Sequence, residues 1–103
     1  MGFERWGYSF DGPYYTAGLL DHKPGIYLIL CKKDERQPVL VDVGESDDVR
    51  ARLIHYDRPS CWTENCSGVI QFAATYLSLA TDELRRTVET LVRNIEHPPC
   101  GKQ

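Results

Sequence analysis

The chain has 103 residues, 42% of them hydrophobic and 26% charged, with a formal net charge of −3. That length and apolar share suffice for one domain around one modest core. The acidic balance excludes a strongly basic nucleic-acid binder but not a local basic face, and no apolar run approaches the ~20 residues that cross a bilayer.

Residues 1–24 are rich in aromatics: Phe3, Trp6, Tyr8, Phe10, Tyr14 and Tyr15. Trp6, Tyr8 and Phe10 alternate with the strand period, and Gly12-Pro13 breaks the segment. The stretch reads as an arm laid against the domain of residues 25–103, adding core area. Its alternative use is a platform on which bases stack.

Gly25–Cys31 reads as a strand that is apolar on both faces, hence central. Val39–Val43, rich in β-branched residues, reads as a second strand. The short charged link Lys32–Gln37 predicts an antiparallel hairpin. A turn centred on Asp34-Glu35 places Tyr27 opposite Asp42 on one side of the sheet. Ser46 is the expected N-cap of a helix running to about Tyr56, with Asp47 and Asp48 in its first turn. Val49, Leu53 and Tyr56 form its apolar stripe, bordered by Arg52.

Asp57–Ser67 reads as a loop by composition. It carries Cys61 and Cys66, with His55 nearby, a spacing loose for zinc and lacking a second ligand pair. No basic and apolar leader segment opens the chain. The four cysteines, Cys31, Cys61, Cys66 and Cys100, are therefore expected to be free, metal-empty thiols in the reducing cytoplasm. Gly68–Tyr76 reads as the third strand. Thr81 caps a last helix that begins Asp82-Glu83. Its expected buried stripe is Leu84, Val88, Leu91, Val92 and Ile95. Glu89 lies just outside that stripe, and Pro98-Pro99 stops the helix.

Gly25-Ile26-Tyr27, then Val43-Gly44, then Arg52 eight residues beyond that glycine resemble the core of the GIY-YIG nuclease domain. The resemblance runs from Pro24 to Gly101. It includes Tyr56 four residues after Arg52, Glu89 twelve residues before Gly101, and the tail Pro98-Pro99-Cys100. The fold it implies is α/β, three core strands in a mainly antiparallel sheet flanked by helices. The activity it implies is divalent-metal-dependent endonucleolytic cleavage of DNA, structured or branched DNA included. Cutting a phosphodiester takes an activated water, a cation for the developing charge and a clamp on the phosphate. The resemblance assigns Tyr27 to the water, Arg52 to the scissile phosphate, Glu89 to Mg²⁺ or Mn²⁺, and Tyr56 to an auxiliary hydroxyl. A guanidinium fork and a phenol suit those roles chemically.

Two positions depart from the pattern. Asp42 replaces the tyrosine of the second motif, and Gly101 replaces an asparagine of the tail. Asp42 either repels a substrate phosphate or joins Glu89 as a metal ligand. The departures and the net charge favour an alternative function: a catalytically degenerate module that binds nucleic acid or a protein partner without cutting. Taken without the resemblance, Tyr27 is a half-buried sheet aromatic, Arg52 is a surface arginine within reach of Asp48, and Glu89 belongs to a ladder with Arg85 and Arg93.

Overall fold

The computed structural model describes residues 2–55 and 59–101. Five strands form one antiparallel sheet: β1 (Gly2–Arg5), β2 (Tyr8–Tyr14), β3 (Gly25–Lys32), β4 (Val39–Ser46) and β5 (Val69–Tyr76). Their spatial order is β1-β2-β5-β3-β4. Three helices accompany them: α1 (Val49–Ile54), α2 (Pro59–Glu64) and α3 (Asp82–Glu96).

The sheet thus has two strands beyond the three expected, and both come from the aromatic arm. Trp6 and Gly7 take positive φ values of 53° and 82°, the conformation of a tight two-residue hairpin turn. Phe3 therefore faces Phe10, and their rings stack at 5.3 Å. Strand β2 continues onto β5, so the arm extends the sheet. The segment Asp57–Ser67 was expected as a loop, but it contains α2.

Strand β3 is buried along nearly its whole length between β5 and β4, as its two apolar faces require. One face packs Tyr27, Ile29, Cys31 and Val41 with Val49 and Leu53 of α1 and Trp62 of α2. The other packs Ile26, Leu28, Leu30 and Val43 with Phe10 and with Val88 and Val92 of α3. Among the described residues, no helix is long and apolar enough to cross a membrane.

The β3–β4 pairing is antiparallel as expected, but its register differs. Tyr27 faces Gly44, and Asp42 faces Ile29. An irregularity between Ile29 and Leu30 shifts the ladder, the usual consequence of an extra residue in one strand. Tyr27 and Asp42 still share a face, because Ile29 lies two positions from Tyr27.

Helix α1 is capped by Asp48, not Ser46. The Asp48 carboxylate accepts from the Ala51 N–H at 3.0 Å, while Ser46 Oγ accepts from the Asp48 N–H. Thr81 caps α3 as expected, and His97 ends it in the left-handed conformation. The buried face of α3 is rotated from the expected stripe. Leu84, Leu91 and Ile95 are exposed, while Arg85 is buried beside Val88 and Val92. Two acidic partners on β4 explain the rotation. Arg85 meets Glu45 at 3.1 Å, and Arg93 meets Asp42 at 3.0 Å.

The cysteines are not free. Cys31 is bridged to Cys66, and Cys61 to Cys100. The expectation of free thiols fails because the fold joins residues far apart in sequence. Cys31 ends the buried run of β3, against the connection that holds Cys66. The tail after α3 returns across β4, where the Cys100 N–H donates to the Val41 carbonyl at 3.0 Å. That return carries Cys100 to α2. Such bridges persist best in oxidising surroundings, so the support that reduced thiols lent to a cytoplasmic location is gone.

Candidate functional site

Of the positions singled out by sequence, Asp42 and Gly44 lie on β4, Tyr27 on the neighbouring β3, Arg52 on α1 and Glu89 on α3. Tyr27 is almost fully buried. Its phenol lies across Gly44, where any Cβ would overlap the ring and hydroxyl. Glycine at 44 is therefore required by the close approach of the tyrosine from the neighbouring strand.

Asp42 has no exposure to solvent. Its Oδ1 accepts from the Val43 N–H at 2.8 Å and from Arg93 Nη2 at 3.0 Å, and its Oδ2 accepts from Trp62 Nε1 at 3.0 Å. A buried carboxylate survives only with such satisfaction. Asp42 was expected to face a substrate phosphate or a metal ion. In this structure its oxygens serve an internal network.

Glu89 lies on the turn of α3 that approaches this network. Its Oε2 accepts from Arg93 Nε at 3.0 Å. One guanidinium therefore joins the Asp42 and Glu89 carboxylates. The same group donates through Nη1 to the Cys100 carbonyl at 2.9 Å and through Nη2 to the Val43 carbonyl. Partial burial opposes the charge on Arg93, but its hydrogen bonds to Glu89 and Asp42 outweigh it and hold the pKa above the ordinary arginine value. The Glu89–Arg93 half of the expected ladder exists. The other half does not, since Arg85 turns to Glu45, Asp82 and the Ala80 carbonyl.

Gly101 completes the cluster. It has a positive φ of 78°, and a Cβ there would collide with Arg93 Nη2 and Asp42 Oδ1. The two departures from the GIY-YIG pattern are therefore one feature. The Asp42–Arg93 pair fills the space that a side chain at 101 would need.

Arg52 is exposed on α1. It lines a cavity of about 270 Å³ with Glu45, Ser46, Asp47, Asp82 and Arg85, at the end of β4 and the start of α3. Three carboxylates against two guanidiniums leave this groove slightly acidic. Tyr56 lies outside the described residues, so its expected place beside Arg52 is not tested. Sequence reasoning missed Trp62 and gave Arg93 only a ladder role. The signal for Arg93 was its position one turn beyond Glu89; nothing local pointed to Trp62.

A divalent ion on Glu89 is what the nuclease pattern implies. Among the described residues, no three His, Cys, Asp or Glu side chains gather as a metal cluster. The place next to the Glu89 carboxylate is held by a guanidinium. A second cation ~5 Å from that group would meet repulsion on the order of several kcal/mol at an effective dielectric near 20. The residues as arranged do not fit the ion.

No protein-family model and no curated protein matches the chain. Among solved structures, the fold matches the GIY-YIG N-terminal endonuclease domain of UvrC from Thermotoga maritima, a point mutant bound to the catalytic divalent cation. The match covers 84% of this chain and 91% of that domain, with a TM-score of 0.55 and 12% sequence identity. The chain has the GIY-YIG endonuclease fold, with an antiparallel sheet of five strands.

Proposed function

We propose that the chain is a nucleic-acid-binding module built on the nuclease fold, which engages phosphodiester backbones without cutting them. The observation that carries this reading is the Arg93 guanidinium held between Asp42 and Glu89. It neutralises the carboxylate that a hydrolytic centre of this pattern keeps for its metal. Arg52 is the residue expected to meet a DNA phosphate, since its guanidinium matches phosphate oxygens two at a time. The acidic rim of its groove keeps affinity no tighter than non-specific binding, roughly 10⁻⁴–10⁻⁶ M, and the few cations available for phosphate contacts make its salt dependence shallow.

A second reading, a DNA endonuclease dependent on Mg²⁺ or Mn²⁺, is favoured by the fold match to a domain that carries a catalytic cation. Tyr27 against Gly44 also keeps the pattern of the two motifs. In that reading Tyr27, Arg52, Tyr56 and Glu89 form the catalytic set, and Arg93 must release Glu89.

The deciding experiment incubates the purified protein with single-stranded, duplex and branched DNA in Mg²⁺ or Mn²⁺. The expected result is retarded DNA of unchanged length, with retardation weakened by Arg52→Ala. Cleavage by the wild type that disappears in Glu89→Gln would establish the endonuclease. Absence of both binding and cleavage would remove nucleic acid as the ligand and leave a protein partner.

A further inference from the structure

We propose that Arg93 plugs a latent divalent-cation site, and that its guanidinium is the resident cation of this domain. Four oxygens converge on that one group: Asp42 Oδ1 at 3.0 Å, Glu89 Oε2 at 3.0 Å, the Cys100 carbonyl at 2.9 Å, and the Val43 carbonyl. They come from β4, α3 and the tail, and the fold brings Arg93 to Asp42 across a sequence separation of 51 residues. Two carboxylates and two backbone carbonyls form the donor set of a hard divalent cation such as Mn²⁺, Mg²⁺ or Ca²⁺. Charge points the same way. One guanidinium leaves two carboxylates with a net negative charge, which a divalent ion would neutralise.

The surroundings preserve the cage. Trp62 fixes the second oxygen of Asp42. The Cys61–Cys100 bridge anchors the tail that supplies one carbonyl. Gly101 leaves the space beside the guanidinium clear of any side chain. Three of the four oxygens, all but that of Glu89, lie outside the ligand set that the nuclease pattern implies. This inference rests on the reading of the site as closed by Arg93.

The test uses Mn²⁺ as the probe, with thermal unfolding and the electron paramagnetic resonance of bound Mn²⁺ as readouts. The wild type is expected to unfold at the same temperature with or without Mn²⁺. Arg93→Met keeps the length of the side chain without its charge. It is expected to unfold at a lower temperature, to recover on adding Mn²⁺, and to bind one ion at least ~10-fold more tightly than the wild type, because ion binding becomes folding free energy. Adding Asp42→Asn to Arg93→Met is expected to abolish the response.

Wild-type protein that binds Mn²⁺ as tightly as Arg93→Met would overturn the proposal. So would an Arg93→Met protein that ignores Mn²⁺ or stays unfolded at saturating Mn²⁺. The outcomes separate this proposal from the reading of function. DNA cleavage by a wild type that retains no Mn²⁺ would end the non-cutting reading alone. An Mn²⁺-indifferent Arg93→Met in a protein that binds DNA without cutting would end the plug alone.

Discussion

The Trp62 indole N–H donates to Asp42 Oδ2 at 3.0 Å, and neither residue is open to solvent. A helix absent from the sequence expectation thus supplies one of the donors that keep a carboxylate inside the core. Trp62→Phe keeps an aromatic ring, though a smaller one, and removes the donor. It is expected to destabilise the fold by about 1–3 kcal/mol, the cost of stranding a buried acceptor. Asp42→Asn removes the charge facing Arg93 and is expected to cost more, about 3–5 kcal/mol, as for a buried pair that loses one partner. Urea unfolding of both variants checks the order. An Asp42→Asn protein as stable as the wild type would mean the pair is not a structural element.

Gly44→Ala tests the packing of the two motif strands. A methyl group at 44 would sit inside the Tyr27 phenol. The tyrosine must swing out, and overpacking of this kind costs about 1–3 kcal/mol. Denaturant unfolding measures the loss. The tyrosine absorbance of the folded protein should also shift toward a solvent-exposed spectrum. An unchanged spectrum with unchanged stability would show that Tyr27 has room to spare.

Acid should loosen the start of α1. The Ala51 N–H donates to the Asp48 carboxylate, and this hydrogen bond is the main reason that its pKa lies below the ordinary aspartate value. Desolvation of that carboxylate opposes the shift, and His22 reinforces it. A folded-state pKa below the unfolded one means the cap contributes fully above the unfolded value, ~3.9. The contribution fades as pH falls through the folded value. The protection of the Ala51 amide against exchange, relative to its intrinsic rate at each pH, should fall in that lower window. Asp48→Asn, which still accepts a hydrogen bond, should show no such step.

Much of the frame was legible in the sequence, and the losses have physical causes. The double-sided apolar run 25–31 marked β3 as central, and Thr81-Asp82-Glu83 marked the start of α3. The β1–β2 hairpin was hidden because Trp6 carries a positive φ at a turn where asparagine or aspartate is the usual signal. The face of α3 was misjudged because apolar spacing was followed alone. The partners of Arg85 and Arg93 lie on β4, about 40 to 50 residues away. At the site, the glycines and Tyr27 are pattern-level features. The Glu89–Arg93 contact was legible as an i,i+4 pair, but the closing of Asp42 on Arg93 is a tertiary event with no local sign.

The disulfides carry the last prediction. Under non-reducing conditions the denatured protein should react with no thiol reagent, because no described cysteine is free. Each bridge closes a loop of 35 or 39 residues, for which chain entropy gives roughly 4 kcal/mol of stabilisation. The paired variants Cys31→Ser with Cys66→Ser and Cys61→Ser with Cys100→Ser should each lose about 2–4 kcal/mol in urea, since measured values fall below the ideal. The two should differ at the site. Cys61–Cys100 ties α2, which holds Trp62, to the tail that packs on Arg93. Its loss should free the tail and move tryptophan emission to longer wavelength in the folded protein. Loss of Cys31–Cys66, which packs in the same core cluster as Trp62 but does not hold the tail, should shift that emission less. Four reactive thiols in the folded, unreduced protein would restore the reading of free cysteines and remove the anchor of the tail.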